Sequence, residues 1–241
     1  MNIGRMIRIA IVVLVCGGFV WFWVWSHQVM PAEQQYVDLV RGNSRIKLTE
    51  TERSIVVSST DYQSKTGLVF LPGAKIDPHA YLYKLSGIVE NTGVTVVIAK
   101  PYFNLALFDL RPIATYTNDV NNIEKWYIAG HSLGGVRACQ YAADSSTRVA
   151  GLVLFGSYCD TDVTVPTLSV SGSQDALTSE QDIADHRAHL KGEVTMYEID
   201  DASHASFGDY GTQTGDGTAG VDAEFMRLQL TDYLTSWLAE Q

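Results

Sequence analysis

Basic residues are scarce in this chain: 17 Lys and Arg stand against 27 Asp and Glu in 241 residues, for a formal charge of −10. Residues 1–30 hold Arg5 and Arg8 and no acid, so the remainder carries −12. Phosphate binding needs clustered cations, and nucleic acid is therefore not an expected partner. Cysteine is equally thin. Cys16 lies in an apolar N-terminal stretch, Cys139 past the central motif and Cys159 in a later loop, and none has the spacing of a metal site. The spacing leaves open whether Cys139 and Cys159 pair. Residues 208–217 are rich in glycine and contain Asp209 and Asp216 but lack the acid spacing of an EF-hand, so they read as a loop that positions a neighbour. No metal and no other cofactor is expected. There is no internal repeat or low-complexity tract, prolines number six, and 46% of residues are apolar, which suits one substantial core.

The most informative stretch is Trp126-Tyr127-Ile128-Ala129-Gly130-His131-Ser132-Leu133-Gly134-Gly135-Val136. An apolar, strand-like run turns through a serine into a small-residue helix start, and Gly130-His131-Ser132-Leu133-Gly134 fits the G-x-S-x-G nucleophile elbow. The serine of such a turn sits at an unfavourable backbone conformation. Side chains two residues to either side would strike the adjoining strand or helix, which is what Gly130 and Gly134 avoid.

At the N-terminus, the short basic stretch 1–8 precedes seventeen consecutive apolar or glycine residues, 9–25, ending in Trp21, Trp23 and Trp25. As a helix this nearly spans a hydrocarbon core of roughly 30 Å, with tryptophans at the far interface. The charge distribution places the N-terminus in the cytoplasm and the domain outside. The alternative is a signal peptide cleaved after Val24-Trp25-Ser26, giving a secreted domain. Residues 31–45 read as a linker or short helix, and 46–241 as one domain.

Within that domain, strands are expected at 46–50, 54–59, 66–71, 95–99, 126–131, 149–155, 167–172 and 193–199. Helices are expected at 78–91, 111–122, 179–190 and 223–239, with one after the elbow. Strands alternating with helices call for a mostly parallel sheet covered on both faces.

A serine hydroxyl needs an imidazole to take its proton, and the imidazole needs an acid to orient it. Of six histidines, His204 follows the last strand and is the candidate base. His27 lies beside the span, His131 inside the elbow and His79 at a helix start, while His186 and His189 have the spacing of a solvated helix face. Asp175, after its strand in Ser171-Gly172-Ser173-Gln174-Asp175, is the candidate acid, with Asp160 and Asp162 as the fallback. The order Ser132, Asp175, His204 matches one hydrolase class. The amides of Leu133 and of Ala74, in the loop Pro72-Gly73-Ala74-Lys75, are the candidate oxyanion donors.

These motifs resemble the α/β-hydrolase superfamily over about residues 46–240, and the stretches 71–78 and 203–217 are similar to its compact dienelactone-hydrolase-like and esterase-like members. The resemblance implies the α/β-hydrolase fold, here preceded by the one N-terminal transmembrane helix expected from the apolar run at 9–25. Dienelactone hydrolases proper have a cysteine where this chain has Ser132, so their substrate does not carry over. Many relatives insert a lid after the sixth strand. Only residues 157–166 are available here, and a shallow open pocket is expected, walled by Tyr102, Phe103, Leu105, Tyr158 and Phe207. The expected activity is hydrolysis of small acyl or aryl carboxylic esters or thioesters. Acyl transfer by the same residues, or an inactive binding module, are the alternatives.

Overall fold

The computed structural model describes residues 3–118 and 120–241. Eight strands form one sheet: β1 (Ile46–Glu50), β2 (Ser54–Ser59), β3 (Thr66–Leu71), β4 (Thr95–Ala99), β5 (Lys125–His131), β6 (Leu152–Phe155), β7 (Thr167–Gly172) and β8 (Val194–Ile199). Their spatial order is β1-β2-β4-β3-β5-β6-β7-β8. Only β2 runs against its neighbours; the pairs from β4 through β8 are all parallel.

The strands are apolar on both sides because both faces are covered. Leu68 and Phe70 of β3 face the core built with α2 (Gln34–Arg41), α3 (Leu82–Thr92) and α7 (Ala223–Ala239). Val69 and Leu71 face the opposite core, which includes Tyr116 of α4 (Ala114–Thr117) and Ala138, Cys139 and Ala142 of α5 (Leu133–Ala143). The period of two along each strand sends successive residues to opposite cores. After β7 comes α6 (Glu180–His186), opened by a capping box in which Ser179 and Asp182 exchange side-chain and backbone bonds. The order in which strands are added switches sides at β3, with β4 on one side and β5 on the other. Such a switch point opens a crevice at the carboxyl ends of the strands.

Among the described residues the expected helix at 111–122 is reduced to the single turn of α4, and Asp119 lies outside them. The Arg111 side chain is tied to Asp109, the Lys100 carbonyl and Tyr116 Oη, and Pro112 and the Thr- and Asn-rich sequence that follows are poor helix material. The strand expected at 149–155 is regular only over Leu152–Phe155. The helix expected at 78–91 opens with the 3₁₀ turn Pro78–Tyr81, and that at 179–190 ends with the 3₁₀ turn Arg187–His189. Residues 31–45 are not slack chain. Val37 and Val40 of α2 are buried in the core, and the Glu33 amide donates to the Asp209 carbonyl at 2.8 Å.

Helix α1 (Ile3–Ser26) is 24 residues long, apolar, and long enough to cross a membrane. Cys139 and Cys159 form a disulfide, and Cys16 is free and exposed.

Candidate active site

Ser132 sits between the end of β5 and the start of α5 at φ 54°, ψ −129°. A non-glycine residue in this region costs on the order of 1–3 kcal/mol and persists only where its surroundings fix it. Here they do. The Ser132 amide donates to Phe155 O at 3.1 Å, and its carbonyl accepts from Ser157 Oγ at 2.8 Å and from the Gly135 amide at 2.9 Å. A Cβ at Gly134 would lie 2.1 Å from Leu71 O, and one at Gly130 would lie 2.4 Å from the Gly134 carbonyl carbon, so the two glycines allow the turn to nest against β3.

His204 opens a 3₁₀ turn after β8 and is almost fully buried. Its Nδ1 lies 2.8 Å from Asp175 Oδ2. The other oxygen of Asp175 accepts from the amides of Leu177 at 2.9 Å and Thr178 at 2.7 Å, which fixes the carboxylate plane. The carboxylate selects the imidazole tautomer with hydrogen on Nδ1 and leaves Nε2 as the acceptor.

Asp216 ties the two loops together. Its Oδ1 accepts from the amides of His204 at 3.1 Å and Gly217 at 2.7 Å, and Oδ2 from Ala205 at 2.8 Å; Oδ1 also receives the Ala176 amide at 3.4 Å. Burial works to raise the Asp216 pKa, but these backbone donors outweigh it and hold the carboxyl below its ordinary value. Farther along the loop, Asp209 forms a buried ion pair with Lys84 of α3. Burial pushes the Asp209 carboxyl up and the Lys84 ammonium down, each opposed by the other's charge.

The candidate oxyanion loop lies beside the elbow. The Gly73 amide donates to Tyr81 Oη at 3.0 Å and the Lys75 amide to Asn104 O at 2.8 Å, which brackets Ala74 between two fixed neighbours. Tyr81 Oη lies 2.9 Å from His131 Nδ1. His131 is fully buried, and desolvation, reinforced by His204 nearby, holds its pKa well below the ordinary histidine value. The imidazole is therefore neutral, and its Nδ1 is hydrogen-bonded to the Tyr81 hydroxyl. Leu133 is the first residue of α5, so its amide faces outward from the helix start.

Of the expected pocket residues, Tyr102 and Phe103 are exposed, and Arg111 lies 4.1 Å over the Tyr102 ring. Phe103 and Asn104 both have positive φ, 58° and 55°. Tyr158 is half-buried and stacks on His186 at 4.0 Å. Leu105 is mostly buried. Phe207 is not a wall: it is fully buried, stacked on Phe155 at 5.7 Å and packed beside His131, because the 3₁₀ turn after His204 drives it under the elbow. The fallback acids lie elsewhere; Asp162 pairs with His189 at 2.8 Å. His79 pairs with Asp77 and Glu50. Among the described residues, no group of three or more His, Cys, Asp or Glu side chains is arranged to hold a metal.

Sequence reasoning read 208–217 as a positioning loop without singling out Asp216 as its tie, and it missed Ser157 and Tyr81. Their role comes from hydrogen bonds and close contacts between segments far apart in the chain, which no local pattern encodes.

A strained serine turn at a switch point, with a buried acid–histidine pair on the loops after β7 and β8, has the layout of an α/β-hydrolase. The sequence pattern of the alpha/beta hydrolase family matches residues 67–227, and the chain belongs to that family. The protein is a hydrolase, a compact member with no room for a lid between β6 and β7. Among solved structures, XC6422 from Xanthomonas campestris, a serine hydrolase without lid, superposes with a TM-score of 0.57 at 16% identity, covering 81% of this chain and 96% of that one. Est1E from Butyrivibrio proteoclasticus gives 0.54 at 12% identity, covering 81% and 100%. A membrane phospholipase A described as a bacterial virulence factor gives 0.55 at 13% identity, covering 97% and 99%. At these identities the likeness is one of fold. A search of curated proteins finds no match.

Proposed function

We propose that this protein is a membrane-anchored serine hydrolase that cleaves carboxylic esters or thioesters through Ser132, His204 and Asp175. The observation that carries this reading is the buried His204–Asp175 pair on the loops beside a serine held at φ 54°. Ser132 Oγ adds to the ester carbonyl while its proton passes to His204 Nε2. The carbonyl oxygen becomes an oxyanion received by the amides of Leu133 and Ala74. The ester C–O bond then breaks and the alcohol departs with the proton from Nε2. Water attacks the acyl-enzyme, gives its proton to Nε2, and Ser132 leaves with that proton as the acid is released. Asp175 keeps Nδ1–H directed and stabilises the imidazolium in both halves.

Helix α1 serves as the anchor, with the N-terminus cytoplasmic and the catalytic domain outside. The Cys139–Cys159 disulfide supports that side, since such bonds persist in oxidising compartments. The test is labelling of the full-length chain in detergent micelles by a fluorophosphonate probe, with butyryl-nitrophenyl ester turnover alongside. Labelling and turnover are expected in the parent and absent in Ser132→Ala. A folded parent that neither labels nor turns over ester overturns the reading in favour of a binding module.

A further inference from the structure

One face of α1 does not stand free of the domain. Phe22 packs edge-on against Phe103 at 5.4 Å and Phe108 at 6.1 Å, and the Asn104 side-chain amide donates to the Ser26 carbonyl at 3.0 Å. Below these contacts helix and loop diverge into a groove of about 520 Å³, running from Leu14 past Gly18 to Phe22 with Phe103 and Phe108 opposite. Every residue lining it is apolar or glycine. Phe108 and the adjoining Leu110 are strongly exposed, at 60% and 78%.

Depth along the helix says what covers this surface. Leu14 to Phe22 rises about 12 Å, close to half of a hydrocarbon core of roughly 30 Å. Trp23 and Trp25 mark the interface above it. The groove thus runs from near the bilayer midplane to the headgroup level on the side where the domain sits. Its upper end meets the site: Asn104 accepts the Lys75 amide at 2.8 Å, and Lys75 follows Ala74. At that level the Lys75 ammonium lies 4.3 Å over the Trp25 ring, a cation placed where a lipid phosphate would lie, on a domain that is otherwise strongly acidic.

We propose that this groove receives the acyl chain of a glycerophospholipid from the bilayer that α1 crosses, and that this lipid's carboxylic ester is the bond Ser132 attacks. The inference rests on the reading of Ser132 as the nucleophile of an anchored hydrolase. A chain lying along α1 with its terminal methyl near Leu14 brings its ester to the level of the oxyanion loop and its phosphate to Lys75. The lipid then need not leave the leaflet entirely to react, and the open site needs no lid to shelter the chain.

The groove can be filled without disturbing its walls, because a Cβ at Gly18 meets nothing within 4 Å. The experiment uses the full-length chain and the variants Gly18→Ala, Gly18→Leu and Gly18→Phe, reconstituted in dioleoylphosphatidylcholine vesicles. Oleate release is measured beside fluorophosphonate labelling and butyryl ester turnover. The parent is expected to release oleate, and the series to lose that activity in order of size, by about tenfold or more for Gly18→Phe. Labelling and butyryl turnover stay within about twofold throughout. A parent that turns over butyryl ester but releases no oleate overturns the proposal and leaves the hydrolase reading standing. So does oleate release indifferent to Gly18→Phe, or an equal loss of both activities. A parent with no labelling and no turnover of either ester overturns both.

Discussion

The imidazoles of His131 and His204 lie with ring centroids 4.4 Å apart at 43°, yet only His204 has a carboxylate partner. His131 is buried against a phenol instead, and its depressed pKa keeps it uncharged beside the neighbour proposed to accept a proton during turnover. A second cation there would oppose imidazolium formation at His204. The Nδ1 of His131 is instead hydrogen-bonded to the Tyr81 hydroxyl, which also receives the Gly73 amide.

Tyr81→Phe tests that chain. Removing the hydroxyl leaves a buried amide unpaired, at a cost of about 1–3 kcal/mol in stability. The expected kinetic signature is a fall in kcat of about tenfold with KM little changed, because a loosened oxyanion loop acts on the transition state more than on ground-state binding. A thermal melt and butyryl ester kinetics separate the two effects.

Asp216→Asn tests the tie between the two loops. The folded-state pKa of Asp216 is lowered, so its contribution to stability is present above the unfolded-state value and is lost as pH falls through the folded one. The gap in unfolding free energy between parent and variant is therefore expected to be widest near neutrality and to close below about pH 4. Urea titrations at several pH values measure it. A fall in kcat at neutral pH accompanies the change, because the His204 and Ala205 amides lose an ionised acceptor.

Gly156→Ala places a methyl group among the partners of the candidate base. Gly156 has φ +47°, and a Cβ there would lie 2.9 Å from Asp175 Oδ2 and 3.3 Å from His204 Nδ1. The expected loss in kcat is on the order of a hundredfold, as for other misplacements of about 1 Å. Fluorophosphonate labelling slows in parallel. Retained labelling in a folded variant would show that the Asp175–His204 pair tolerates displacement.

Cysteine accounting tests the disulfide. Alkylation of the denatured, unreduced chain is expected to modify Cys16 alone, and all three cysteines only after reduction. The bridge joins residues 20 apart, and the double variant Cys139→Ala, Cys159→Ala is expected to lose about 3 kcal/mol by the chain-entropy estimate. Denaturant unfolding of the variant against the parent measures that loss.

Much of this arrangement is legible in the sequence because it is local. The elbow declares itself in five residues, strands β1 to β4 follow from continuous apolar or alternating runs, and α7 coincides with the expected 223–239. Asp175 and His204 are each marked by position after a strand, and the structure brings them to 2.8 Å. What local pattern does not carry is long-range. Asp216 reaches back to the His204 and Ala205 amides, Tyr81 reaches the elbow from an expected helix, and Phe207 turns inward where an aromatic on a site loop reads as a pocket wall. The truncation of α4 has the same origin, since Arg111 is drawn to Asp109 and Lys100 and away from a helix that its own sequence barely favours.

The chain leaving α1 runs directly into the site's scaffold: the Met30 amide donates to the Lys75 carbonyl at 2.7 Å, and the Asp77 amide to the Met30 carbonyl at 3.0 Å. With α1 as the proposed anchor, tension on the tether from membrane thickness or curvature would be delivered to the backbone just after Ala74. A domain shed by proteolysis ahead of Met30 loses the helix that holds this short rail in place. The candidate oxyanion loop would then work under a different mechanical load from that of the proposed anchored form.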